Sequence, residues 1–585
     1  MGRLAQPGVD WNGLRGPAAV VVGCFLGAQL LAPWQDLAGD HLAKTVDGAL
    51  FTRLMAASLK LPTVTELERP EVAEQLNAAR RELEFGFQSP GRSCAGQAAL
   101  IGRYVQVVGC AVVLAGLFSW PVAAGLLAVC LLFRHGQRGG LRRYSPVYGE
   151  TAGDRAHGDY LFSVGTGAPA AKEVKVFGLG GWLGDGYRRI TLGWLGHVWR
   201  RRRQIYLRPY LAYVLVAVPL AGVCFALLGR RALDGVGLAA TVTALQCGLS
   251  LLRLGDLYPE CDVPMQFGMN ALRALERYEA LVTSPAVRRT PETGGAPGPE
   301  THRTAGERGD LVPPRPQAGR ALPDGSHDVR LDAVSFAYPG SAEPVLNGLD
   351  LTLRAGLTTA LVGVNGAGKS TVVKLLTGLC VPDRGRVTYG GTDIGTVRTD
   401  AWRSLVAVVF QDFIHYEASL AENVALGRVA HAGDHPGVES CVRAAGAGRL
   451  WDSLPAGGAT MLGSHAEEGV ELSGGQWQRL AIARALFAVR HGARLLVLDE
   501  PTSGLDVQAE AAFHDDVMRA LPGVTKLLIS HRFATVRHAD HIVLIGNGGV
   551  VEEGTHEQLM AGGGLYHDMF LTQAAAFAES AGRRA

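Results

Sequence analysis

Apolar positions in the first half of the chain run together instead of alternating with polar ones. A helix needs ~20 mostly apolar residues to cross ~30 Å of hydrocarbon, and four stretches meet or approach that length. They are 16–34, 98–134, 206–228 and 235–254, the last being the weakest. The second is long enough for a hairpin of two spans turning near Ser119-Trp120-Pro121, so the pattern predicts five membrane-spanning helices. No small-residue cleavage site follows the run from Gly16, which is therefore read as a retained span and not a removed signal peptide.

The pattern changes after residue 283. From 284 to 327 the chain is rich in Pro, Gly, Thr and Arg, as in Pro291-Glu-Thr-Gly-Gly-Ala-Pro-Gly-Pro. That composition cannot bury enough apolar surface to pack and reads as a flexible linker. Alternation then appears in Val329-Arg-Leu-Asp-Ala-Val-Ser-Phe336, as in a half-buried strand. The expected organisation is a helical membrane domain over 1–283, a linker over 284–327, a globular α/β domain over 328–577 and a short tail over 578–585.

Composition agrees with a membrane half. Hydrophobic residues make up 48% of the 585 residues and charged residues only 19%, an apolar excess over ordinary soluble enzymes. The net charge of +2 does not mark a nucleic-acid partner, and none is expected. The nine cysteines lie far apart, with no metal-ligand or redox spacing.

The chemistry sits in the second half. Gly363-Val-Asn-Gly-Ala-Gly-Lys-Ser-Thr371 fits the phosphate-loop pattern G-x-x-x-x-G-K-[ST]. It follows an apolar strand, Thr359-Ala-Leu-Val362, and opens an apolar helix at Val372. Backbone N–H groups of Gly363, Asn365, Gly366, Ala367 and Gly368 would curl round the phosphates, with the helix N-terminus adding its dipole. Lys369 would reach the β- and γ-phosphates, Ser370 would ligate Mg²⁺, and Thr371 completes the loop. A second strand, Leu495-Leu-Val-Leu-Asp-Glu500, ends in two carboxylates, the usual place for ligands at the carboxyl edge of a parallel sheet. Asp499 would hold Mg²⁺, and Glu500 would orient or deprotonate the attacking water. Between the two lies Leu472-Ser-Gly-Gly-Gln476 before a helical run, a second anion-accepting helix start built from Ser473, Gly474, Gly475 and Gln476.

In this order the three motifs resemble those of the ATP-binding cassette proteins, over about 328–577. The resemblance implies a P-loop α/β cassette using ATP and Mg²⁺, and it assigns four further residues. Tyr338 would stack on adenine. Gln411 would contact Mg²⁺ and link nucleotide state to the membrane part. Asp506 would lie in a loop crossing to the partner subunit, and His531 would contact the γ-phosphate. Taken singly, Tyr338 is a core aromatic and His531 a turn histidine; their order and spacing reverse those readings. Catalysis is thus expected of Glu500, His531 and Gln411, and metal binding of Ser370, Gln411 and Asp499.

A membrane part followed by a cassette in one chain is similar to exporter half-transporters. That implies a pair of chains, a homodimer in the first instance and a heterodimer in the alternative. It also implies a multi-pass protein of the bacterial cell membrane with its cassette cytoplasmic. Arg134, Arg138, Arg142, Arg143 and the run Arg200–Arg203 place 35–97 and 135–205 on the cytoplasmic side by the positive-inside rule, whereas Arg230 and Arg231 run against it. Five spans would leave the N-terminus outside. The resemblance implies six and an inside N-terminus, the absent element then being the first. Leu61–Glu71 and Thr166–Gly178 look like coupling segments that rest on the cassettes, or are amphipathic helices without that role.

Phe410–Tyr416, Gly469-Val-Glu471 and Trp477-Gln-Arg479 look similar to exporters of lantibiotic-type modified peptides. No cysteine-peptidase domain precedes the spans, so leader removal is not expected. The expected function is ATP-driven export of a peptide or natural product. The alternatives are an importer of exporter-like fold, of the siderophore class, and a regulatory ATPase without transport.

Overall fold

The computed structural model describes residues 11–84, 89–167, 170–233, 237–254, 259–284, 321–341, 343–463, 469–501 and 521–582. The chain divides into two compact units, one of residues 1–60 and 70–283, the other of residues 61–69 and 284–585.

The first unit is all helix. In chain order its helices are α1 (Trp11–Leu59), α3 (Pro70–Glu84), α4 (Pro90–Leu117), α5 (Trp120–Glu150), α6 (Ala152–Thr166), α7 (Ala171–Val176), α8 (Gly180–Leu233), α9 (Leu238–Leu254) and α10 (Pro259–Thr283), while the four-residue α2 (Val64–Leu67) groups with the other unit. Helix α4 shows what these helices are built for. Leu100, Val107 and Leu114 are buried, yet Ile101, Val105, Val108 and Val112 on its other side are exposed and equally apolar. A water-soluble helix carries polar residues on its free face, so a doubly apolar helix belongs in lipid.

Helix α10 adds to the helices that the apolar pattern predicts. The hairpin turns where predicted, between Leu117 and Trp120, with Pro121 tolerated in the first turn of α5. Arg231, the residue that ran against the charge rule, donates to the Phe118 carbonyl at 2.7 Å and so secures that turn. Two described helices, Pro90–Gly116 and Gly180–Leu233, are long and apolar enough to cross a membrane, with Leu238–Arg253 shorter. Helix α10 follows α9, and its Tyr278 and Glu279 meet Ser58 and Arg53 near the end of α1. Its Glu260, Asp262, Arg273, Glu276, Arg277 and Glu279 interrupt every apolar run, so hydropathy alone passes over it.

The second unit is α/β. A four-stranded antiparallel sheet, in the order β2-β1-β4-β5, consists of β1 (Val329–Phe336), β2 (Leu346–Leu353), β4 (Arg384–Tyr389) and β5 (Thr392–Asp393). A six-stranded sheet, in the order β10-β9-β3-β8-β7-β6, holds β3 (Thr358–Val362), β6 (Val406–Val409), β7 (Leu495–Asp499), β8 (Thr525–Ile529), β9 (His541–Gly546) and β10 (Gly549–Gly554). Its β9, β3, β8, β7 and β6 pair in parallel, and β7 and β8 are buried at every position, as parallel strands covered on both faces must be.

Helix α11 (Lys369–Leu376) packs Val372, Val373, Leu375 and Leu376 into a core shared by both sheets. After it come α12 (Thr399–Arg403), α13 (Leu420–Ala425), α14 (His435–Ala444), α15 (Gly448–Ser453) and α16 (Gly474–Arg490). Of these, α13, α14 and α16 surround a second core that includes Trp477, Leu480 and Phe487. The segment 61–69 is bound within this unit: Val64 N–H donates to the Leu379 carbonyl at 3.0 Å, and Arg403 donates to the carbonyls of Pro62 and Gly378 at 2.7 and 2.8 Å. Most of the expected linker, residues 285–320, lies outside the described residues.

Candidate functional site

The six-stranded sheet explains why residues so far apart in sequence meet. Its parallel strands β3, β8, β7 and β6 are neighbours, so the segments leaving their carboxyl ends share one edge. From β3 comes the phosphate loop, from β8 His531, from β7 Asp499 and Glu500, and from β6 Gln411. This is where open parallel sheets bind ligands.

The loop is shaped by glycine. Gly366 and Gly368 take φ of 84° and 97°, and Gly368 caps α11 in the left-handed region, a conformation L side chains rarely adopt. A Cβ at Gly363 would lie 2.5 Å from the Ile545 carbonyl oxygen, and one at Gly368 2.7 Å from Leu346 Cδ2. The Lys369 ammonium folds over the loop, donating to the Gly363 and Val364 carbonyls at 2.8 and 3.0 Å. Burial lowers its pKa, opposed by the charges of Glu500 and Asp499. Asn365 and Ser370 are exposed at the loop, whereas Ala367 and Thr371 are buried.

Beside the loop, the Tyr338 hydroxyl lies 3.2 Å from Thr371 Oγ1 and its ring 5.0 Å from the Lys374 ammonium. Phe336 meets the same ring edge-on at 5.1 Å. The aromatic therefore stands against α11, the helix that follows the loop.

The carboxylates are set differently from one another. Asp499 ends β7 and is 6% exposed. Burial pushes its pKa up to about 6, and the charges of Glu500 and Asp412 add to this against a partial offset from Lys369. Glu500 follows at a φ of 51°, a positive value unusual for a side chain with a Cβ. Its N–H donates to the Ile529 carbonyl at 2.9 Å. Its carboxylate is approached from two sides, by Gln411 Nε2 at 3.4 Å and by His531 Nδ1 at 3.3 Å. The three expected catalytic residues thus form one cluster. Strained backbone at such a position is held by its surroundings, here by the β8 hydrogen bond.

Ser473 begins α16 with a reciprocal cap, its N–H donating to Gln476 Oε1 at 2.8 Å and its hydroxyl accepting from Gln476 N–H. Gly474 and Gly475 form the first turn. Among the described residues no hydrogen bond joins Ser473–Gln476 to the phosphate loop of the same chain. Asp506 lies outside the described residues.

Two supporting residues escaped the sequence reading. Gln478, 3% exposed, donates to the carbonyls of Glu500 and Pro501 at 3.4 and 2.6 Å, tying α16 to the backbone that carries Glu500. Gln573 donates to the His531 carbonyl at 2.7 Å and accepts from Phe533 N–H at 2.9 Å, fixing the turn that presents His531. Gln478 adjoins the Ser473–Gln476 helix start and could have been suspected; no local signal marks Gln573.

With this edge in view, residues 346–503 match the ABC transporter family model. That stretch is an ABC transporter cassette domain. An Arabidopsis thaliana ABC transporter B family member 28 is 42% identical over 254 residues, 43% of this chain and 34% of that protein. The mycobactin import ATP-binding/permease protein IrtB of Mycolicibacterium thermoresistibile is 39% identical over 286 residues, 48% of each chain. The cyclolysin secretion/processing ATP-binding protein CyaB of Bordetella pertussis is 42% identical over 253 residues, 43% of this chain and 34% of that one. The chain spans between about a third and a half of these relatives' lengths.

A solved bacterial Atm1-family ABC exporter with ATP bound matches at a TM-score of 0.65 and 21% identity, covering 97% of this chain and 93% of that one. That likeness shows the fold, a helical membrane domain followed by the cassette.

Proposed function

We propose that the protein is an exporter-type half-transporter that couples ATP hydrolysis to movement of a substrate across a bilayer. The observation that carries this is the cluster of Glu500, Gln411 and His531 beside the phosphate loop, in a chain whose other unit is built from lipid-compatible helices.

The proposed cycle assigns each residue one task. Loop N–H groups and Lys369 bind the β- and γ-phosphates, and Tyr338 stacks on the base. The donor set suits Mg²⁺: a buried carboxylate at Asp499, a hydroxyl at Ser370 and the Gln411 amide oxygen are hard oxygen ligands, and Asp499 lacks full compensation for its charge. When bound, Mg²⁺ would offset charge on the phosphate oxygens. Glu500 accepts the proton of the attacking water, His531 donates toward the γ-phosphate, and Gln411 reports nucleotide state from the β6 edge. Because Ser473–Gln476 make no hydrogen bond to their own phosphate loop among the described residues, they are assigned to a second chain's nucleotide. A homodimer is the simplest partner, since every described catalytic position holds a competent residue. The segment 61–69, anchored by Arg403 and Leu379, is the proposed link to the membrane part.

A modified peptide or other natural product is the proposed cargo of the export reading. Siderophore import is the second reading, favoured by the similarity to IrtB. Inside-out membrane vesicles separate them. ATP-dependent accumulation of a labelled lanthionine peptide supports export. ATP-dependent loss of a preloaded ferric siderophore, without peptide uptake, would overturn it.

A further inference from the structure

A cavity of about 340 Å³ opens within the first unit between α5 and α10, at the lower end of the range for small-ligand sites. Its wall is built by helical spacing. Arg134, Arg138 and Arg142 stand four apart on α5 and so share one face. On α10, Asp262, Met265, Met269 and Arg273, three, four and four apart, also share one face. Arg138, Arg142, Asp262, Met265, Met269 and Arg273 line the space. A second cavity of about 230 Å³ shares Arg138 and Arg142.

The charges do not balance. Among the described residues Asp262 is the sole carboxylate lining the space, and Arg134 already grips it bidentately at 2.7 and 2.9 Å, the two side chains being 5% and 1% exposed. Arg138 reaches the same carboxylate only at 3.5 Å. Among the described residues Arg142 and Arg273 have no ion-pair partner. The Arg134–Asp262 pair thus fixes the geometry of the two helices, while Arg138, Arg142 and Arg273 leave net positive charge facing a concavity. Guanidinium forks are suited to bidentate capture of carboxylate or phosphate. Met265 and Met269 add a soft apolar wall that adapts to varied shapes.

We propose that this cavity binds the anionic group, carboxylate or phosphate, of an amphipathic ligand through Arg138, Arg142 and Arg273. The proposal deepens the transport reading by giving its cargo a charge class. Two sources share this chemistry: a free amphipathic anion and the headgroup of an acidic lipid.

The test uses the full chain in phosphatidylcholine nanodiscs without ATP, so a failure of the hydrolytic cycle leaves it untouched. Fluorescence anisotropy follows carboxyfluorescein, an anion, and rhodamine 6G, a cation on the same xanthene core. Saturable binding of carboxyfluorescein is expected, weakened at least roughly tenfold in Arg142→Gln/Arg273→Gln, with rhodamine 6G binding unaffected. Arg142→Lys/Arg273→Lys should retain most of the binding, which separates loss of charge from loss of fold, as does an unchanged unfolding temperature. In discs containing phosphatidylglycerol, displacement of the dye assigns the anion to lipid, and undiminished binding assigns it to a free ligand. Equal binding of both dyes, or carboxyfluorescein binding unchanged in the Gln variant, overturns the proposal.

Discussion

Asp499→Asn should make the nucleotide-free protein more stable while abolishing its turnover. Asp499 is enclosed at the end of β7, and its pKa rises from an ordinary 3.8 to about 6, chiefly through burial. At about 1.4 kcal/mol per pH unit, that displacement corresponds to about 3 kcal/mol. The sign follows from linkage. The folded state holds the proton more tightly than the unfolded state, so ionised Asp499 destabilises the fold fully above pH ~6 and not at all below pH ~4. Asn has the same shape without the charge. Its gain should therefore appear above pH 6 and vanish on acidification. At roughly 2–4 °C per kcal/mol for a domain of this size, the cassette transition should rise by about 6–12 °C at pH 8. Thermal unfolding in detergent with EDTA, from pH 4 to 8, measures it. An Asn variant no more stable than the parent at pH 8, or a gain that persists at pH 4, would refute the reasoning.

Three further outcomes follow from single contacts. Lys369→Ala removes the ammonium held at 2.8 Å from Gly363 and should weaken binding of a fluorescent ATP analogue at least roughly tenfold, since charge-assisted contacts are worth about 1.5–3 kcal/mol. Gln478→Leu strips the carbonyls of Glu500 and Pro501 of their shared donor; kcat should fall well below that of the parent while ATP affinity changes little, as steady-state ATPase assays would show. Arg403→Ala removes the guanidinium that bridges the Pro62 carbonyl of segment 61–69 to the Gly378 carbonyl. Basal hydrolysis should persist while ATP-driven transport in vesicles drops, and equal retention of both would count against a coupling role for that segment.

How far the sequence carried the account depended on whether a feature is local. The phosphate loop, the Asp499-Glu500 strand end and the Ser473–Gln476 helix start each need particular residue types in consecutive positions, and consecutive residues can be read. Gln411 and His531 became legible only through their order relative to these motifs. Gln478 and Gln573 act across 22 and 42 residues respectively, and only the fold brings them to Glu500 and His531. Helix α10 was missed for a different reason. Its charged residues break the apolar run that hydropathy counts, yet one of them, Asp262, is buried against Arg134. Helix α1 likewise continues to Leu59, well past the apolar run ending at 34, because helicity does not stop where hydrophobicity does. The positive charge of Arg231 looked contrary in sequence and turned out to serve a turn.

The central claim is that the carboxylate of Glu500, flanked by Gln411 and His531, takes the proton from the water that attacks ATP. Glu500→Gln keeps the shape and both neighbours but cannot accept that proton. The decisive measurement is phosphate release from ATP by the purified Glu500→Gln protein, alongside its ATP affinity. The account predicts affinity equal to or tighter than the parent's and a rate lower by at least roughly 100-fold, the scale of general-base catalysis. Phosphate release near the parent rate, with ATP bound normally, would contradict it.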